Sequence, residues 1–312
     1  MKSNNYAAID IGSNAARLLI KQVTLPEDGS APEFTKKLFL RVPLRLGFDS
    51  LQKGIISPSK GEKLIRMMKA CRQLMKIYEV NRYRACATSA MRDAANGKEL
   101  MQKIREESKI KIEIIPGEEE AQIIYNNHIE QIEDRTGNFL YVDVGGGSTE
   151  VNFLHDGQLQ YSASYNIGTV RVLSKGIVEK DWRKMAEEIA RITAPFPGTQ
   201  IIGSGGNINR LYRLAEEKDK ERQRFPVSEL QRLYDSLVPL TPKERMETFR
   251  IKADRADVIV PAARIFLTLA EASGAQYIHQ SVNCWRYSAS SQPPLPTSPL
   301  PYIPTVSISM SL

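Results

Sequence analysis

Two short segments hold residues whose types and spacing suit phosphate chemistry. Asp10-Ile11-Gly12-Ser13-Asn14 and Asp143-Val144-Gly145-Gly146-Gly147-Ser148 each place an Asp near the end of an apolar run, followed by a glycine turn and a hydroxyl residue. Glycines let the backbone approach a ligand closely with N–H groups turned inward, and such nests bind phosphate. A carboxylate beside that phosphate is useful when it holds a metal ion or orients water. One such turn alone is more often a plain hairpin. Two matched copies, nearly half the chain apart, point to two similar domains.

A third glycine loop, Gly203-Ser204-Gly205-Gly206-Asn207, leaves a strand pattern and enters a helical one. The dipole and free N–H groups of a helix start favour an anion there, although strand–Gly–helix turns are common. Glu118, Glu119 and Glu120 form a carboxylate triplet at another helix start, which by itself is an ordinary solvated first turn. His128, His155 and His279 are too scattered for a metal site, and no Ser-His-Asp or Cys-His arrangement is suggested.

The elements that must position these residues are legible from hydrophobic period. Tyr6–Ile11 and Arg17–Val23 alternate as strands around the first turn, and Lys37–Arg41 reads as a third. Leu64, Ile65, Met68, Cys71, Leu74, Met75 and Tyr78 predict one amphipathic helix over Lys60–Val80. Strand Tyr83–Ala87, a helix capped by Thr88 or Ser89, strand Ile110–Ile115 and a helix from Gly117 follow. The second half repeats the opening, with strands Asn138–Val144, Thr149–Leu154 and Gly157–Tyr165. Helices are predicted at Thr169–Lys175, Asp181–Ile192, Asn207–Glu216, Ser228–Val238 and Asp257–Ala272, with strand Gln200–Gly203 among them.

Composition bounds the answer. The 312 residues are 42% hydrophobic and 25% charged, which suits two globular domains and excludes disorder of the whole chain. Three cysteines without metal spacing argue against a disulfide framework. With no signal segment and no apolar span fit to cross a bilayer, a cytoplasmic protein is expected. The net charge of +7 favours a polyanionic ligand.

Taken in order, Asp10-Ile11-Gly12-Ser13-Asn14 with Arg17, Ala87-Thr88-Ser89-Ala90 with Arg92, Gly117-Glu118-Glu119-Glu120-Ala121, Asp143–Glu150 and Gly203–Asn207 resemble the exopolyphosphatase / guanosine pentaphosphate phosphohydrolase family. The resemblance spans residues 6–279. It implies an α/β fold of the actin-like ATPase superfamily: two ribonuclease-H-like domains with mixed five-stranded sheets flanked by helices, and an active-site cleft between them. It also implies Mg²⁺-dependent release of terminal phosphate from polyphosphate or a guanosine penta- or tetraphosphate. Nucleic acid and membranes are not expected partners. A homodimer is the commonest oligomer to expect. A phosphate or alarmone sensor without turnover is the alternative, and a kinase of the same superfamily ranks below it.

The resemblance gives the residues roles. Glu120 precedes the small residue matched by Ala121 and is the expected base for the attacking water, with Glu119 the runner-up. Asp143 and Glu150 are the expected Mg²⁺ ligands, and Asp10 a third acidic group beside them. Gly12, Ser13, Asn14, Gly145, Gly146, Gly147, Ser148 and Gly205 would contact phosphate. Arg17 and Arg92 would pair with its oxygens, a task suited to the guanidinium fork.

The domains are expected at 1–124 and 125–279. Residues 280–312 contain six prolines, eight serines and one charge, Arg286, and depart from the family pattern. An atypical tail, extended or disordered or arising from a shifted reading frame near residue 280, is expected there.

Overall fold

A computed structural model describes residues 2–27, 30–129, 136–175 and 178–280, with Lys2, 126–129 and Lys175 described as backbone only. The expectations for the tail and for the His128 side chain lie outside the described residues. Contacts divide the chain into two units, with the break between Ile115 and Pro116.

The first unit is built on a five-stranded sheet of order β3-β2-β1-β4-β5. Its strands are β1 (Lys2–Ile11), β2 (Ala16–Leu25), β3 (Glu33–Val42), β4 (Val80–Ala87) and β5 (Glu113–Ile114). Strands β1, β2 and β3 form an antiparallel meander, and β4 and β5 add in parallel to β1. The helices are α1 (Leu46–Lys53), α2 (Pro58–Ile77), α3 (Ser89–Arg92) and α4 (Gly97–Ser108). The period-2 pattern sends Ala7, Ile9, Ile11, Leu18 and Ile20 into one core. Helix α2 meets them with Leu64, Ile65, Met68, Cys71 and Met75, the stripe predicted from the sequence. Pro58 opens α2 at its first turn, where the missing N–H costs nothing.

The second unit repeats this plan with a sheet of order β10-β11-β9-β6-β7-β8. In chain order, α5 (Gly117–Ile129) precedes β6 (Asn138–Val144), β7 (Thr149–His155) and β8 (Gln158–Tyr165). Helices α6 (Thr169–Lys175) and α7 (Glu179–Thr193), strand β9 (Gln200–Ser204), helix α8 (Gly206–Leu214) and strand β10 (Arg224–Pro226) come next. Helices α9 (Val227–Leu237), α10 (Pro242–Phe249), α11 (Ala253–Ala256) and α12 (Ile259–Ser273) and strand β11 (Tyr277–Gln280) complete it. Its core joins Leu140, Val142, Val151 and Phe153 of the sheet to Trp182, Met185 and Ile189 of α7 and Phe266 and Leu269 of α12.

Each sheet is flanked by helices, starts with an antiparallel meander and is extended by parallel strands, the mixed-sheet α/β arrangement expected. Three differences from the sequence reading concern the sheets and the unit boundary. The second sheet has six strands, because the three-residue β10 pairs with the outer edge of β11. Strand β5 is only two residues long, since pairing with β4 is limited to Cys86 and Ala87. Helix α5 belongs to the second unit rather than to a first domain ending at 124. It packs on β7 and β8, and the Asn152 amide donates to the Ala121 carbonyl at 3.2 Å.

Candidate phosphate and metal site

The turn between β1 and β2 is closed by the Gly12 N–H, which donates to the Ala15 carbonyl at 3.1 Å. That N–H is therefore spent on the turn and not presented to a ligand. The Ser13 hydroxyl is buried and lies 2.8 Å from the Ser89 hydroxyl at the start of α3. Asp10 and Arg17 are opposite one another in the β1–β2 register and form a half-buried ion pair of 2.7 Å. The Arg92 guanidinium donates through Nη1 to the Ile115 carbonyl at 2.8 Å, which fixes its position at the end of α3.

The second turn is closed in the same way, the Gly145 N–H donating to the Ser148 carbonyl at 3.0 Å. Here the strand register sets Asp143 opposite Glu150, and Glu150 opposite Ser164, with Ser204 beside Asp143 on β9. A row Ser164–Glu150–Asp143–Ser204 thus crosses the sheet on one face. Glu150 is 2% exposed, and its Oε1 accepts from the Ser164 hydroxyl at 2.9 Å.

The two repeats differ where it matters most. The position opposite the turn Asp holds Arg17 in the first unit and Glu150 in the second. Directly opposed like charges on neighbouring strands are unfavourable, and a buried carboxylate doubly so. A divalent cation relieves both penalties, and two carboxylates with hydroxyl oxygens nearby suit the hard, oxygen-seeking Mg²⁺. Asp143 and Glu150 therefore fit the ion expected of them. Asp10 faces an arginine instead, which balances its charge within the first unit. Among the described residues no group of three or more His, Cys, Asp or Glu is arranged to hold a metal.

Helix α5 brings its glutamates to this same unit. Gly117 lies so close to Ser164 that an added Cβ would stand 2.7 Å from its Cβ and Oγ. The first turn of α5 therefore rests on the residue that hydrogen-bonds Glu150. Glu118 is exposed, whereas Glu119 and Glu120 are half-buried. Gly205, at the third loop, has φ +95°, and a Cβ there would meet Asp143 Oδ1 at 3.2 Å. A side chain would be strained by the backbone and would crowd that carboxylate.

Sequence reasoning missed Arg255. Its guanidinium occupies the space where Gly206 would carry a Cβ, and Nη1 donates to Asn207 Oδ1 at 3.2 Å. This places a cation at the first turn of α8, adding to the positive end of the helix. Nothing local in Lys252-Ala253-Asp254-Arg255 announces it, since the partner loop lies 48 residues earlier. In sum, Glu119, Glu120, Asp143, Gly145, Gly146, Gly147, Ser148, Glu150 and Gly205 share the second unit. Asp10, Gly12, Ser13, Asn14, Arg17 and Arg92 share the first.

Each unit carries a closed glycine turn at the end of its first strand. Comparison with known proteins gives the family. The sequence model of the Ppx/GppA phosphatase family matches residues 38–286, and the chain belongs to that family, one of phosphatases. It is 25% identical to the Ppx/GppA family member of Aquifex aeolicus, covering 90% of this chain and 94% of that one with a TM-score of 0.70. An exopolyphosphatase from Cytophaga hutchinsonii shares the fold, with 23% identity, coverage of 89% and 94%, and a TM-score of 0.75. A bifunctional 3-dehydroquinate synthase/phosphatase of Fusobacterium nucleatum is 28% identical over 304 residues. That match covers 90% of this chain and 45% of the other, so the chain spans under half the length of this curated relative.

Proposed function

We propose that the protein is a metal-dependent phosphoanhydride hydrolase that releases orthophosphate from the end of inorganic polyphosphate or from guanosine pentaphosphate. The observation that carries this reading is the Asp143–Glu150 carboxylate pair beside the glycine turn, with the α5 glutamates seated on the same unit through Ser164.

Hydrolysis of a phosphoanhydride needs a positioned water and neutralisation of the phosphoryl oxygens. Glu120, or Glu119 in its place, accepts a proton from water as the water oxygen attacks the terminal phosphorus. The bond from that phosphorus to the bridging oxygen breaks, and the shortened chain leaves with the bridging oxygen. The N–H groups of Gly146, Gly147 and Ser148 receive phosphoryl oxygens. Asp143 and Glu150 would hold Mg²⁺, which supplies charge neutralisation when bound.

The test is phosphate release with Mg²⁺, from polyphosphates of graded length and from guanosine pentaphosphate in parallel. Release from either supports the hydrolase and ranks the substrates. Tight binding of both with no release would instead identify a phosphate or alarmone sensor.

A further inference from the structure

The second glycine turn is held from behind. The Gly145 carbonyl accepts from the Thr169 N–H at 3.0 Å, and the Gly146 carbonyl from the N–H groups of Val170 and Arg171 at 2.8 and 3.1 Å. The Gly147 carbonyl accepts from Arg171 Nε at 2.8 Å. Three successive carbonyls thus point at the first turn of α6. In a trans peptide the C=O of one residue and the N–H of the next point in opposite directions. The N–H groups of Gly146, Gly147 and Ser148 are therefore all turned away from α6, to one side of the turn. This approach needs Gly168, where a Cβ would lie 2.5 Å from the Gly146 oxygen, the Gly147 carbon and the Ser148 nitrogen.

The first unit repeats the device. The Ser13 and Asn14 carbonyls accept from the N–H groups of Gly47 and Arg45 at 2.8 Å each, at the start of the helix that follows its third strand. Gly47 again permits the contact, since a Cβ there would be 2.7 Å from that of Ser13. Recurrence in both repeats marks the clamp as a built feature rather than a local accident.

We infer that Arg171, acting with Gly168, is a positioning residue that presets the peptide planes of the Gly145–Ser148 turn to receive an anionic phosphoryl group. The inference rests on the phosphate-binding reading of the turn, but not on hydrolysis. Arg171 touches no substrate in this role. It acts by making the donors ready before the anion arrives, which saves the cost of reorienting three peptides on binding.

The experiment uses the full chain labelled with ¹⁵N-glycine and titrated with inorganic pyrophosphate, with Gly146 and Gly147 amides assigned by substitution. In the unmodified protein both amides are expected to shift on binding. In Arg171→Gln the affinity should fall about tenfold and the glycine shifts should shrink, while Arg171→Lys, which can still donate to the Gly147 carbonyl, should recover most of both. Steady-state rates should show the loss in KM, with kcat little changed. Gly168→Ala should act in the same direction, and if it does not fold the arginine pair still decides.

Pyrophosphate binding by Arg171→Gln at wild-type affinity with full glycine shifts would overturn the inference. So would a loss that the lysine variant does not recover, or an absence of shifts at Gly146 and Gly147 in the unmodified protein. If those amides shift but no substrate is hydrolysed, the clamp stands and the hydrolase reading falls.

Discussion

Asp10 and Asp143 occupy matching places, yet their partners give them different chemistry. Arg17 balances Asp10 within a 2.7 Å ion pair, whereas Glu150 adds a second carboxylate beside Asp143. Asp143→Asn and Glu150→Gln should each weaken Mn²⁺ binding, followed by electron paramagnetic resonance, by about tenfold or more, while Asp10→Asn changes it less than about twofold. Equal loss in all three variants would return Asp10 to the metal. Much of this contrast was present in the sequence, because both pairs have the same seven-residue spacing around a turn. What spacing alone did not reveal is that the register makes the partners face each other. The outward N–H groups were also only half legible. Glycine content pointed to a nest, but Gly12 and Gly145 spend their own N–H groups closing the turns. Arg255 was invisible, being brought to the third loop by tertiary packing.

At the scale of elements, long periodic segments such as α2 were read well, since their apolar stripes are set by local spacing. Helix α1 was not. Helix α1 begins from Arg45 in a left-handed conformation, and the backbone bonds between Arg45 and Asn14 and between Gly47 and Ser13 anchor it to the first turn. Helix α10 was missed although Thr241-Pro242-Lys243-Glu244 carries a legible start signal. The Thr241 hydroxyl accepts from the Glu244 N–H, and the Glu244 carboxylate accepts from the Thr241 N–H at 2.7 Å. Thr241→Ala should lower unfolding stability by about 1 kcal/mol in denaturant titration, with activity unchanged.

Strand β11 contributes a pH term. Burial pushes the His279 imidazole below its ordinary value of 6.5, and its Nε2 lies 2.6 Å from Gln200 Oε1. The unfolded chain then takes up the proton more readily than the folded one. The stability this histidine contributes is whole above its unfolded value and is lost as pH falls through the lower, folded one. Between about pH 7.5 and 5.5 the unfolding midpoint should fall more steeply for the unmodified protein than for His279→Gln. Equal slopes would show that His279 does not titrate in that window.

For the molecule as a whole, contacts divide the chain between Ile115 and Pro116, ahead of the boundary at 124 expected from the sequence. The glutamate-rich start of α5 gave no sign of which sheet it would join. Its seat on Ser164 and its bond to Asn152 decide that, and both are long-range contacts. Among the described residues no helix is long and apolar enough to cross a membrane. The net charge of +7 should act on a polyanionic substrate at a distance. Raising KCl from about 0.05 to 0.5 M should increase KM for polyphosphate several-fold and leave kcat nearly constant, because screening weakens attraction more than chemistry.

The most direct measurement compares kcat for phosphate release by the unmodified protein and by Glu120→Gln, with Mg²⁺ and saturating polyphosphate or guanosine pentaphosphate. Loss of a general base of this kind should lower kcat by about a hundredfold or more while pyrophosphate binding is retained. Turnover by Glu120→Gln at the unmodified rate would contradict the assignment of the water-activating carboxylate.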